Sequence, residues 1–445
     1  MKKSRCSKGF YFLLFTFEFL FFSSCSIQKQ IAKSAHADVL DTKALKAAHV
    51  GISIFDPAAN KYLYNYQGDK YFVPASNTKL PTCYAAMKYL GDSLVGLRYK
   101  LDNGEFIVQG TGDPTFLNSE FKNQPVFGFI DKIVTYSHVN FSTSNWQEKH
   151  LGSGWSWNDY NEYYMAERSP FPIYGNIIRF YLKDNRLEAI PSIFDSTLIF
   201  LPGATFEYAD INRSLNKNEF FVSKGNSKFK EKEMPFSTGG YSTATFLLND
   251  TLHTKRRLFE LPEYLDLPTN LSIIHSQPTD SLLKPMMHRS DNFFAEQTLL
   301  MVSNERLGVM SDAKIIDTLL KTDFKDLPQK PRWVDGSGLS RYNLFTPQDF
   351  VAILNKMRNE FGMERIKVIL ATGGEGTISS YYKADSGYIY GKTGTLSGVV
   401  AFSGFLYTKK GKLLIFSTLI NNHQATATDV RRAIEKFLQG VRNNY

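Results

Sequence analysis

Cysteine is almost missing from this chain: there are three in 445 residues. Cys6 and Cys25 lie in or beside an N-terminal leader, so Cys83 alone belongs to the body of the protein, which excludes an intramolecular disulfide framework. A long membrane-spanning run is missing too. The apolar stretch Gly9–Phe22 has 14 residues and contains Glu18, short of the ~20 needed to cross a bilayer. The eight histidines show no H-E-x-x-H or other paired ligand spacing, so no metal site is expected. There is no G-x-S-x-G nucleophile elbow. Glycine and proline follow no fixed period, which removes collagen-like and low-complexity classes. The net charge of +9 lies partly in the leader and is otherwise spread thinly, so nucleic acid is not implied as a partner. At 43% hydrophobic, the chain can bury a sizeable core, and its length fits two or three domains.

What is present begins with a targeting segment. Lys2, Lys3, Arg5 and Lys8 precede the apolar run, and Ser23-Ser24-Cys25-Ser26 follows it. Cations, a short apolar core and then small residues mark a secretory signal. Small residues just before a cysteine resemble the lipobox of bacterial lipoproteins. We expect a signal peptide at 1–24, lipidation of Cys25, and a lipid tether and first helix over 25–48.

Gly51–Asp56 and Lys61–Tyr66 gather β-formers around Pro57 and Asn60, which predicts a hairpin. After Ser76, the residues Leu80, Cys83, Tyr84, Met87 and Leu90 recur at helical spacing up to Gly91, and Pro81 predicts a kink or an irregular first turn. From 99 to 271 short β-rich runs are joined at Asn103-Gly104 and at Asp184-Asn185. Helical patterns then return, followed by strands at Val399–Tyr407 and Leu413–Ile420. A closing stripe of Val430, Ala433, Ile434, Phe437, Leu438 and Val441 has the spacing of an amphipathic helix. The expected fold is α/β (α+β). Residues 49–98 and 272–445 form one domain, whose terminal antiparallel sheet is flanked by helices, and 99–271 is a β-rich insertion.

Ser76-Asn77-Thr78-Lys79 is an S-x-x-K, which sets a hydroxyl and an amine one helical turn apart. Alone it means little, since the same pattern starts at Ser26, Ser119, Ser214, Ser227, Ser281, Ser311 and Ser380. Ser290-Asp291-Asn292 is an S-x-N, as are two other triplets, whereas Lys392-Thr393-Gly394 is the one K-[ST]-G. The order S-x-x-K at a helix start, then S-D-N, then K-T-G on a strand is the set found in penicillin-recognising serine acyltransferases.

Around these motifs stand Pro74–Leu80, Gly110–Pro114, Asp335–Arg341 and Gly391–Leu396. Together they resemble the D-alanyl-D-alanine carboxypeptidase/endopeptidases of the penicillin-binding protein 4 type, over about residues 45–440. The resemblance implies a β-lactamase/transpeptidase-like domain carrying the insertion. It also implies a serine DD-peptidase that cleaves peptidoglycan stem peptides or their cross-links in the periplasm and is acylated by β-lactams, with no metal or organic cofactor. In that scheme Ser76 is the nucleophile and Lys79 its base, with its proton pushed off by Lys392 nearby. Ser290 passes the proton to the departing D-alanine and Asn292 donates to the substrate amide. Lys392, Thr393, Gly394 and Thr395 hold the substrate carboxylate, and the backbone N–H groups of Ser76 and Thr395 form the oxyanion hole. The family pattern Trp-x-Trp-Asp-Asp plus an aromatic residue shapes the pocket for the stem-peptide diamino acid. Here it corresponds to Trp155, Trp157, Asp159 and Tyr163, with Asn158 in place of the first Asp. Two alternatives are a β-lactamase and an inactive wall-binding scaffold. Against the first, Asp326–Gly336 holds no Glu and no E-x-x-L-N occurs; against the second, every reactive residue is intact.

Overall fold

The computed structural model describes residues 27–239, 242–252, 258–260 and 270–445. The expected signal peptide and Cys25 lie outside the described residues. Among the described residues no helix is long and apolar enough to cross a membrane, and no cluster of His, Cys, Asp and Glu is arranged to hold a metal ion. The chain forms two compact units. The first takes the described residues up to Asn77 with Leu327–Pro331 and Leu344–Tyr445, and the second takes Thr78–Asp326 with Arg332–Asn343.

The first unit is built on a six-stranded sheet. Its strands run in the spatial order Ala371–Thr372, Ile389–Leu396, Val399–Tyr407, Leu413–Asn421, His49–Asp56, Lys61–Tyr66, each antiparallel to its neighbour. The expected hairpin of the two N-terminal strands is present, with a register shift between Ile54 and Phe55. Every residue of His49–Asp56 after His49 is buried, as a strand with neighbours on both edges and layers on both faces requires. One face packs on the terminal helix Ala427–Asn444 through Val430, Ile434, Phe437, Leu438 and Val441. Residues 27–35 are helical, within the stretch expected to hold a tether and a first helix, and add Ile31 and Ala35 to the same core. The helix Pro347–Ile369 also packs on this sheet. It starts at a capping box, with Thr346 accepting from Asp349 N–H and the Asp349 carboxylate accepting in return, and carries proline at its first position.

The second unit has a helical part and a sheet part. The helix Asn292–Leu307 is buried from Phe293 to Asn304, and Lys79–Tyr89, Thr279–His288 and Asp312–Lys321 pack around it. A five-stranded sheet runs in the order Leu258–Glu260, Val139–Ser142, Glu105–Gly110, Ser93–Asp102, Ser272–Pro278, and two three-stranded sheets complete the unit. The two expected turns are two-residue hairpins. Asp102 pairs with Glu105 across Asn103 and Gly104, Lys183 pairs with Arg186 across Asp184 and Asn185, and all four turn residues have positive φ. Two helices, Pro125–Ile133 and Ser242–Leu252, stand in the stretch read from sequence as β-rich. The first has proline at its start and Val126, Ile130 and Ile133 on one buried stripe, a short helical signal outweighed in the sequence by the β-formers around it.

Candidate active site

Ser76 stands at a strained and tightly held turn. Ala75–Thr78 is a 3₁₀ turn that runs into the α-helix Lys79–Tyr89, and Pro81 sits in the first turn of that helix, where its missing N–H costs no intrahelical bond. Ala75, just before the serine, has φ 48°, a left-handed conformation that costs a non-glycine residue energy and persists only when the surroundings impose it. Within the first unit those surroundings are visible. Val73 N–H donates to Asn421 Oδ1 at 2.8 Å and Asn421 Nδ2 donates back to Val73 O at 3.0 Å. Asn77 Nδ2 donates to Ser403 Oγ at 2.7 Å, which donates to Ser417 Oγ at 2.8 Å. Sequence reading assigned no role to Asn77, Ser403, Ser417 or Asn421.

The Lys-Thr-Gly strand Ile389–Leu396 lies against this turn. A Cβ on Gly394 would sit 2.6 Å from Pro74 O and 3.0 Å from Ser76 N, so a side chain there has no room. Lys392 is fully buried and its Nζ donates to Thr393 O at 2.7 Å. Thr393 Oγ1 donates to Thr377 Oγ1, and Thr395 Oγ1 accepts from Arg431 Nη2, each at 2.7 Å. Arg431, on the terminal helix, was not singled out in the sequence.

Lys79 belongs to the second unit and is also fully buried. Its Nζ donates to Asn292 Oδ1 at 2.7 Å and to Ser337 O at 2.8 Å. Burial pulls its pKa down to about 8, against the opposing pull of Asp335, Glu296 and Asp291. The sequence reading looked to Lys392 for this effect; the leading cause is desolvation. Asn292 opens the helix Asn292–Leu307, with Asp291 as its cap accepting from Phe294 N–H. Its Nδ2 donates to Tyr164 O at 3.1 Å, so the amide expected to face substrate also ties down the aromatic segment. Ser290 has φ 64°, so left-handed backbone occurs both beside Ser76 and at the serine of the second motif.

Behind Lys79 lies a buried polar assembly that the sequence did not disclose. Asp335 accepts at Oδ1 from Gly338 N–H (2.8 Å) and Asn343 Nδ2 (2.7 Å), and at Oδ2 from Ser340 N–H (2.6 Å) and Trp155 Nε1 (3.0 Å). The Asp-Gly-Ser-Gly-Leu-Ser-Arg segment is thus a turn wrapped around its own carboxylate, which presents Ser337 O to Lys79. Ser337 N–H donates to Glu296 Oε1 at 2.8 Å. Burial pushes the Glu296 carboxyl up, as does Asp335 beside it, while Arg168 acts the other way. Arg168, 1% exposed, reaches Asp312 at 2.6 Å, Glu148 at 3.2 Å and Glu296 at 3.4 Å.

The aromatic cluster divides. Trp155 is turned to Asp335 and lies under the Arg168 guanidinium, 5.5 Å from its ring centroid. Trp157 is 76% exposed and Tyr163 58% exposed. The Tyr164 hydroxyl has its pKa raised to about 12, through burial first and then through the nearby carboxylates of Asp159 and Glu162. Tyr163 lines a cavity of about 440 Å³ that also touches Ser290 and Asn292.

This fold is that of the penicillin-binding protein 4 type. The crystal structure of penicillin binding protein 4 (dacB) from Haemophilus influenzae matches it with a TM-score of 0.72 at 20% identity, covering 92% of this chain and 97% of that one. Its complex with a β-lactam matches with a TM-score of 0.66 at 19% identity, covering 90% and 97%. The chain belongs to the D-Ala-D-Ala carboxypeptidase 3 (S13) family, whose profile matches residues 31–205 and 262–441, and with it to the serine peptidases. Its relatives include the D-alanyl-D-alanine carboxypeptidase DacB of Haemophilus influenzae, 23% identical over 91% of this chain and 92% of that protein. A D-alanyl-D-alanine carboxypeptidase of an Actinomadura species is 24% identical over 87% and 80%.

Proposed function

We propose that the protein hydrolyses the terminal D-alanyl-D-alanine amide of peptidoglycan stem peptides, or the amide of their cross-links, through an acyl-enzyme on Ser76, and that β-lactams acylate the same serine. The observation that carries this reading is the Lys79 amine, one turn after Ser76 in the chain and brought by burial to a pKa of about 8, where a useful share is neutral at physiological pH. In this reading neutral Lys79 takes the Ser76 hydroxyl proton as Oγ bonds to the carbonyl carbon. The N–H groups of Ser76 and Thr395 stabilise the oxyanion. The C–N bond breaks, the leaving amine takes its proton through Ser290, and water later hydrolyses the ester. Lys392, Thr393, Gly394 and Thr395 hold the carboxylate. Trp155, Asp159 and Tyr163 are assigned to the diamino acid side chain. A β-lactam keeps its opened ring tethered, and the absence of Glu from Asp326–Gly336 supports a long-lived acyl-enzyme over a β-lactamase. The leader and Cys25 support an extracytoplasmic, lipid-anchored protein, which intact-mass analysis of membrane-extracted material checks by a start at Cys25.

The decisive experiment is Ser76→Ala. A folded variant should lose all covalent labelling by a fluorescent penicillin and all release of D-alanine from purified muropeptides, read by mass. Labelling that survives in the folded variant refutes the assignment.

A further inference from the structure

The assembly behind Lys79 contains two buried polar side chains that the mechanism does not use, Thr82 and Glu296. Both end on one peptide group of the second unit. Thr82 Oγ1 donates to its carbonyl, Gly336 O, at 2.7 Å, and its N–H, that of Ser337, donates to Glu296 Oε1 at 2.8 Å. The next peptide group has its N–H, that of Gly338, on Asp335 Oδ1 at 2.8 Å and its carbonyl, Ser337 O, on Lys79 Nζ at 2.8 Å. Gly336 permits this closeness, since a Cβ on it would sit 2.6 Å from Ala295 O, one residue before Glu296. The second Glu296 oxygen lies 3.4 Å from Arg168 Nη1, and Arg168 is held in turn by Asp312 and Glu148. A buried carboxylate costs stability that a well-packed apolar side chain does not, so packing alone gives no reason for it here.

A reason lies in the geometry of the amine. A neutral amine has two N–H donors and one lone pair. Lys79 Nζ donates to Asn292 Oδ1 at 2.7 Å and to Ser337 O, and once its two N–H groups serve these acceptors the lone pair takes the remaining direction. A swing of the Ser337 carbonyl turns the lone pair with it. We propose that Glu296 is a positioning residue for the base: by holding Ser337 N–H against the helix Asn292–Leu307 it fixes the Ser337 carbonyl and, through it, the lone pair of Lys79. Thr82 acts on the same peptide group from its other end. The inference rests on the reading of Lys79 as the base and deepens it.

The test follows penicillin acylation as a saturable reaction, which separates non-covalent affinity from the acylation rate constant. Glu296→Met keeps the volume and loses the acceptor, while Arg168 keeps Asp312 and Glu148, so no cation is orphaned. It should lose roughly a hundredfold in the rate constant, the scale of a reacting group displaced by ~1 Å, with affinity within about twofold. Glu296→Gln, whose amide oxygen can accept from Ser337 N–H, should restore the rate to within about fivefold of the unaltered protein. Thr82→Val, which removes the other tie and decides the matter where Glu296→Met does not fold, should lose roughly tenfold in the rate constant alone. A folded Glu296→Met or Thr82→Val protein that acylates at the unaltered rate overturns the inference. So does a Glu296→Gln protein as slow as Glu296→Met, or a parallel loss of affinity and rate, the mark of a merely structural role. A Lys79→Met protein that acylates normally defeats the reading of Lys79 as the base, and absence of penicillin labelling in the unaltered protein defeats the DD-peptidase reading; either takes the inference with it.

Discussion

At the level of single side chains, Lys79 shows how competing influences set the charge of a buried amine. Three acidic groups, Asp335, Glu296 and Asp291, favour its charged form, and complete burial still wins, leaving the pKa about 8. The sign of the pH dependence follows. In the proposed mechanism the neutral amine is the reactive form; its fraction grows as pH rises through the pKa, so penicillin acylation of the intact protein should climb roughly tenfold per pH unit below 8 and level off above it. Stopped-flow labelling from pH 6 to 10 checks this, and a rate flat across the range would remove Lys79 as the base. The same burial affects stability. Between about 8 and 10.5 the unfolded chain keeps the proton that the folded protein has lost, so stability from this group rises with pH across that window and carries its full penalty below it.

At the scale of elements, the site depends on close backbone approaches. The strand Ile389–Leu396 can lie against the turn carrying Ser76 because Gly394 has no Cβ; the obstacles to one are backbone atoms of Pro74 and Ser76, which cannot swing aside. Gly394→Val should therefore displace strand from turn, reducing penicillin acylation at least a hundredfold while thermal unfolding shifts by only a few degrees. A variant that acylates normally would show that the strand does not need this contact. The turn is anchored by side chains on the sheet's inner strands: Ser403, backed by Ser417, holds Asn77, and Asn421 holds Val73. The rigid sheet thus holds a left-handed Ala75 in place.

For the molecule as a whole, the first unit is completed by both ends of the described chain. The strand His49–Asp56 is inserted between Lys61–Tyr66 and Leu413–Asn421, and residues 27–35 share a core with the terminal helix. Lys436 Nζ meets Asp38 Oδ1 at 2.9 Å, and the Tyr445 hydroxyl donates to Asp56 Oδ2 at 2.7 Å. Removing 427–445 would expose Val430, Ile434, Phe437, Leu438 and their partners. At about 2 kcal/mol for each large apolar side chain, that loss is comparable to a domain's entire stability of ~5–15 kcal/mol. The truncated chain should fail to fold its first unit and should not label with penicillin, whereas Tyr445→Phe should cost only about 1 kcal/mol in a thermal melt. Wild-type labelling by the truncated chain would show that the terminal helix is dispensable.

The order of the three motifs, the hairpins at Asn103-Gly104 and Asp184-Asn185 and the terminal helix are determined by the sequence itself, because their signals are local: turn residues that accept positive φ, and apolar spacing along one face. The helix Pro125–Ile133 escaped that reading, since nine residues hold too few turns to stand out among β-formers. What the tertiary structure alone decided is the electrostatic setting. Arg168 is 128 residues from Glu296 and 144 from Asp312, and Trp155 is 180 residues from Asp335. No periodicity links such positions. The depression of the Lys79 pKa arises from exclusion of water, which depends on every layer packed around the amine and is written in no single stretch of the chain.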